Sequence, residues 1–118
     1  MFVKYLKSKL HQAKVTDARL HYPGSIAIDS QLLEAADIQP YETVMVADLD
    51  NGNRLETYAV PEEASSGKIE ILGPAANLIK PGDTIIVFSF GYYSTEEKDK
   101  VKPKVIILDK NNKIKAKK

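Results

Sequence analysis

The chain has 118 residues, 43% of them hydrophobic and 28% charged, with a formal net charge of +1. That is enough for one compact domain with one core, and the charge balance gives no general pull toward nucleic acid or an anionic membrane. The chain has no cysteine, which excludes disulfides, thiolate catalysis and cysteine-bound zinc.

In chain order, the first stretch, MFVKYLKSKLHQAKV, has lysines through its middle and no unbroken apolar core, so it does not read as a signal peptide. No run approaches the ~18 apolar residues of a membrane span, and a cytoplasmic protein is expected. KVTDARLHY alternates with period two and predicts a strand, with Thr16, Ala18, Leu20 and Tyr22 on one face. After Pro23-Gly24, SIAID predicts a second strand. DSQLLEAADI predicts a helix capped by Asp29 or Ser30 and ended by Pro40. ETVMVAD and RLETYAV predict a hairpin across Asn51-Gly52, a pair that tolerates positive φ. KIEIL predicts a short strand, and GPAANLIKPGD predicts one helical turn at most. DTIIVFSF is apolar on both faces and predicts a central, doubly buried strand. KVIILD and KIKA flank KNN as a last hairpin, and the lysine-rich tail is expected to be a solvated end. Many short strands with little helix argue for a small closed β-barrel.

Few motifs carry chemistry. There is no phosphate-cradling glycine loop and no G-x-S-x-G elbow. The two histidines, His11 and His21, do not suggest a metal site, and the spacing of the carboxylates proposes none. The remaining feature is Pro23-Gly24-Ser25. Taken alone it is a type II turn, with proline second and glycine third. Its other reading is chemical. A serine hydroxyl can attack the carbonyl before it in an N-to-O acyl shift. That step needs a distorted peptide and a close approach, and glycine permits both.

SKLHQAKVTDARLHYPGSIAID resembles the N-terminal segment of the bacterial aspartate 1-decarboxylases, pyruvoyl enzymes that make β-alanine for pantothenate. That segment runs through KxHxAxVT and Y-x-G-S to an AID or TID ending. NGNRLETYAV is similar to the family's NGxRFxTYxI, and GPAANLIKPGDTIIVFSF to GAAA…xxGDxVIIxSF. The three lie at the family's spacing without gaps, covering about residues 1–110.

The resemblance implies a mainly β fold, a small double-psi β-barrel with one or two short helices. It implies one domain, residues 1–118, assembled as a homotetramer with sites between subunits. It also implies a maturation in which Ser25 attacks the Gly24 carbonyl, leaving chains 1–24 and 25–118. The new N-terminus would become dehydroalanine and then a pyruvoyl group, with neither metal nor pyridoxal phosphate. Its carbonyl would take the amine of L-aspartate as a Schiff base and draw electrons as the carboxylate leaves. Tyr58 would protonate the product, while Arg54 and Lys9 would hold the substrate carboxylates. Thr57 and Tyr22 would lie near the cleaved bond, with Gly73, Ala75 and Ala76 forming part of the substrate site. Strand alternation places Arg54 and Tyr58 on one face and Thr57 on the other.

Two positions depart from the family pattern. Leu72 stands where asparagine usually precedes the glycine, and Pro74 stands where alanine is usual. They leave room for a non-catalytic or poorly maturing barrel that serves as a binding module. A related acid such as glutamate is a further alternative, since one methylene is worth only ~1–3 kcal/mol of discrimination. The need for a separate activating protein is left open.

Overall fold

In the computed structural model, which describes residues 1–118, nine strands form one sheet in the order β2-β6-β3-β5-β4-β7-β1-β8-β9. They are β1 (Phe2–Lys14), β2 (Asp17–Arg19), β3 (Ser25–Asp29), β4 (Thr43–Asp48), β5 (Arg54–Glu62), β6 (Ile69–Leu72), β7 (Thr84–Ser94), β8 (Lys104–Leu108) and β9 (Ile114–Lys117). One α-helix, α1 (Ser30–Ala35), follows β3, and 3-10 turns span Pro74–Asn77 and Lys98–Lys100. The sheet is mixed, with β1–β8, β2–β6 and β3–β5 parallel and the remaining pairs antiparallel. It curls around one core that includes Leu10, Ile26, Ile28, Val44, Val46, Ile69, Ile71, Ile85 and Val87. Each such side chain contributes ~1.5–3 kcal/mol by leaving water. The expected mainly β, barrel-like fold is therefore what forms. No helix is long and apolar enough to cross a membrane.

Polar ties hold distant segments together. Asn112, at φ 60°, donates to the carbonyls of Lys14 and Gly67 and accepts from the Lys14 N–H, each at 2.7–2.8 Å. Asp29 caps α1 through the Gln31 N–H and also accepts from the Ser65 and Gly67 N–H groups, all at 2.9 Å. That closes the base of the β3 strand, whose five residues are all buried.

Several expectations need correction. The segment 2–14, left without an element by its sequence pattern, is the longest strand. The strand expected over 14–22 is only Asp17–Arg19. The helix ends before Pro40: Asp37 turns left-handed at φ 56°, and the Ile38 N–H closes on the Leu33 carbonyl at 2.9 Å. β7 is central, but only Ile85, Val87 and Ser89 are fully buried on it, and Ile86, Phe88 and Phe90 are half-buried. The lysine-rich tail is an edge strand, with Lys118 and Val105 exchanging both backbone hydrogen bonds at 2.8 and 3.1 Å. The Asn51-Gly52 hairpin forms, although Gly52 alone takes positive φ, at 78°.

One buried carboxyl makes stability depend on pH. Burial, and the neighbouring Asp83 carboxylate, push Asp48 up from 3.8 to about 6. Between those values the folded chain binds more protons than the unfolded one, so this contribution is full below pH 4 and is lost as pH rises through 6. Asp48→Asn keeps the shape and removes the charge. It is expected to stabilise the protein at pH 8 by ~1 kcal/mol and to change little at pH 4, as denaturant unfolding at the two pH values would show.

Candidate active site

Ser25 opens β3 and pairs across the antiparallel ladder with Leu72. Opposed residues share a face of a sheet, so Leu72 stands beside Ser25, opposite in sense to its neighbours Ile69 and Ile71, which are buried in the core. The β3–β5 register pairs Ile26 with Ala59. One and two steps further back, the same register sets Ser25 level with Tyr58 and Gly24 level with Thr57.

The segment before Ser25 is not the expected type II turn. No backbone hydrogen bond closes it, and Gly24 is absent from the left-handed region, where Gly52, Gly67, Gly73 and Gly82 all lie. A Cβ built on Gly24 would meet only Pro74 Cδ, at an ordinary 3.9 Å. Neither conformation nor space requires glycine at position 24.

Gly73 is the opposite case. Its φ is 91°, and a Cβ there would lie 2.7 Å from Gly24 Cα, 2.9 Å from Gly24 N and 2.9 Å from the Tyr22 carbonyl oxygen. Its N–H donates to the Arg19 carbonyl at 2.8 Å. Gly73 thus presses backbone against backbone and holds Tyr22–Gly24 in place. After it, the 3-10 turn Pro74–Asn77 starts on a proline whose missing N–H is not needed there. Tyr22 is half-exposed, and its hydroxyl accepts from Arg19 Nη1 at 3.1 Å. Arg19 in turn donates from Nε to Asp17 at 2.8 Å and thereby holds Asp17 below the usual carboxylate range.

A cleft of about 310 Å³ opens here, lined by Gly24, Leu55, Glu56, Thr57, Leu72, Pro74, Ala75 and Leu78. Of the residues singled out in the sequence, Gly24, Thr57 and Ala75 line it, Gly73 and Tyr22 meet at its wall, and Ser25 and Tyr58 adjoin it by register. Ala76 is buried behind it. Lys9 is elsewhere, and Arg54 is not among the lining residues. Lys9 lies on β1, with Nζ 5.9 Å from the Phe88 ring centroid. The row Lys9–Phe88–Met45–Glu56 puts it three strands from the cleft wall, a distance of ~14 Å at the usual strand spacing. Arg54 is exposed at the start of β5, opposite Ala47 and next in the chain to the cleft residues Leu55–Thr57, so it stands at the edge of the cleft without lining it. The only ionisable side chain lining the cleft is Glu56. Leu55, Leu78 and Glu56 drew no attention in the sequence, where they read as ordinary strand and turn residues.

Fold and cleft define a class: a small β-barrel whose cleft is built around the start of a buried strand at a Gly-Ser junction. Residues 1–115 match the model of the family described as aspartate decarboxylase. The chain is similar to the aspartate 1-decarboxylase of Acetivibrio thermocellus, 51% identical over 97% of this chain and 90% of that one. It is similar to that of Moorella thermoacetica, 54% identical over 94% and 87%, and to that of Listeria welshimeri, 46% identical over 97% and 90%. The chain belongs to the aspartate decarboxylase family.

Proposed function

We propose that the chain cleaves its own Gly24–Ser25 bond and then decarboxylates L-aspartate to β-alanine and CO2, in the cytoplasm and toward pantothenate. The observation that carries this is the glycine at position 24, which lines the cleft and is required by neither its backbone angle nor its neighbours. Chemistry at its carbonyl supplies a reason that folding does not. Ser25 Oγ adds to the Gly24 carbonyl carbon, the C–N bond breaks and an ester forms. Elimination then releases the Gly24 carboxylate, and water displaces ammonia from the remaining dehydroalanine. The resulting terminal carbonyl, a pyruvoyl group, supplies the electron-withdrawing centre that makes an α-carboxylate a leaving group.

The chain's other residues bind, orient and move a proton. Tyr58, level with Ser25 by strand register, would deliver a proton to the carbon that loses CO2. Thr57 and the Gly73–Ala76 segment shape the walls. A dicarboxylate beside Glu56 needs cations that this cleft does not contain. Arg54, at the edge of the cleft, is one source, and a second copy of the chain in a homotetramer is the other, bringing Lys9 into the site. The stacked, half-buried Phe88 and Phe90, with ring centroids 6.2 Å apart, lie on the same outer face as Lys9, and a second copy would cover them.

Release of β-alanine from aspartate by the purified protein, with glutamate as the competing substrate, tests the proposal. Faster turnover of glutamate would transfer the reading to the longer acid, and no turnover of either would leave a binding module. Arg54→Ala removes a charge-assisted contact worth about 1.5–3 kcal/mol, so aspartate turnover by cleaved enzyme is expected to fall at least about tenfold. Unchanged turnover would remove Arg54 from the site.

Position 72 is a second test. Leucine offers no donor to the oxyanion that forms at Gly24, and one such donor is worth about 10²–10³ in rate. Leu72→Asn is expected to raise the fraction cleaved at a fixed time, or the turnover per cleaved subunit. Lower thermal stability with no gain in either rate would make Leu72 a packing residue only.

A further inference from the structure

We propose that Asp48, Asp50 and Asp83 form a binding site for a hard divalent cation, calcium by preference. The three come from separate places: the end of β4, the hairpin after it and the loop before β7. One carboxylate oxygen from each comes within 4.8 Å of the others. Ligand oxygens 2.3–2.6 Å from one ion stand at most ~5 Å apart, so the span suits a shared ion.

Each carboxylate is also aimed by a backbone N–H. Asp48 Oδ1 accepts from Asp50 at 2.8 Å, Asp50 Oδ2 from Thr84 at 2.8 Å, and Asp83 Oδ2 from Lys80 at 3.0 Å. Asp48 is only 2% exposed, and its second oxygen, Oδ2, is shut off from solvent with no donor of the chain bonded to it. A buried carboxylate oxygen left so is costly, which points to a ligand that the chain does not supply.

No ammonium forms an ion pair with the cluster, although Lys14 and Lys80 lie near enough to help hold Asp83 below its usual carboxylate range. The chain's ion pairs are Lys7–Glu42, Arg19–Asp17 and Lys98–Asp99. Lys14 Nζ donates to the Gly82 carbonyl and Thr84 Oγ1, and Lys80 Nζ to the Ala76 carbonyl. A proton shared by Asp48 and Asp83 would satisfy that pair alone. All-oxygen donors select calcium or magnesium over zinc, and exposed Asp50 leaves a way in. The ion would brace the loop behind the cleft, because Asn51 and Asn53 both donate to the carbonyl of Leu78, a cleft residue, at 3.0 Å.

The test is calorimetric titration of chelator-stripped, full-length protein with calcium chloride at pH 7.5, paired with thermal unfolding. A dissociation constant of about 10⁻⁴–10⁻³ M is expected. In 10 mM calcium chloride the melting temperature should rise by about 5 °C, and sodium chloride of equal ionic strength should not reproduce the rise. Asp50→Asn, at an exposed position, should weaken binding at least tenfold, and Asp48→Asn should abolish it while raising the calcium-free melting temperature. If Asp48→Asn does not fold, Asp50→Asn carries the comparison. No heat and no calcium-specific rise in the wild type would overturn the proposal and leave a proton-sharing pair. So would variants that respond to calcium as the wild type does.

Discussion

Ser25→Ala should remain a single chain of 118 residues under every condition in which the wild type is cut. The methyl group has no oxygen to add to the Gly24 carbonyl, so neither ester nor elimination can follow. Decarboxylation should fall to background with it, because no terminal carbonyl is made. The fold should survive. Position 25 is 7% exposed and its backbone pairs with Leu72, and replacing a small hydroxyl by hydrogen there changes stability by no more than about 1 kcal/mol. Intact mass and circular dichroism on one sample separate the two effects. Cleavage of Ser25→Ala at the same bond would assign the nucleophile to another group.

Gly73→Ala should come nearest to Ser25→Ala in its effect, through geometry rather than chemistry. The added Cβ must take a left-handed φ of 91° and would overlap Gly24 Cα, Gly24 N and the Tyr22 carbonyl. The backbone angle alone costs ~1–2 kcal/mol, and the overlap adds ~1–3 kcal/mol more. The cheapest relief is for Tyr22–Gly24 to move off Gly73, which shifts the bond to be cut relative to Ser25 Oγ. Misplacement of about 1 Å can cost ~10²-fold, so cleavage should slow by about that factor. Gly52→Ala is the control. Its φ is also positive, at 78°, but nothing lies within 4 Å of the added atom. It should lose ~1 kcal/mol and cleave as the wild type does. Equal cleavage by both variants would remove Gly73 as the positioning residue.

The parts of the fold that were legible in the sequence are those whose side chains alternate without interruption. β3, β4, β5 and β6 appear close to where their patterns place them. β1 escaped because its pairing with β7 slips twice, at Leu6/Ser8 and Leu10/Ala13, the second slip at Gln12 with φ 64°. A bulge moves every later side chain to the other face, which erases the period-two signal. The helix ended early because Asp37 accepted a left-handed angle, an ending that glycine would have announced and aspartate does not.

The site was legible only where its residues are neighbours in the chain or sit in motifs shared with the family. Tyr22, Gly24, Ser25, Thr57 and Gly73 converge because β3 lies between β5 and β6. Lys9 does not, because three strands intervene, and Arg54 stops at the edge, exposed at the start of β5 beside the cleft residue Leu55. The triad Asp48, Asp50 and Asp83 was invisible for the related reason that its spacing, 2 and then 33 residues, means nothing until β4 and β7 pair.

The central claim is that the Gly24–Ser25 bond opens by the chain's own chemistry. A timed series of intact-mass spectra on purified wild-type protein, held at working temperature with β-alanine release followed in parallel, tests it most directly. The account predicts a fragment of residues 1–24, a fragment beginning at residue 25 with a ketone in place of its serine amine, and decarboxylation that rises in step with both. A chain that stays whole after prolonged warming, with and without cell extract, would contradict it.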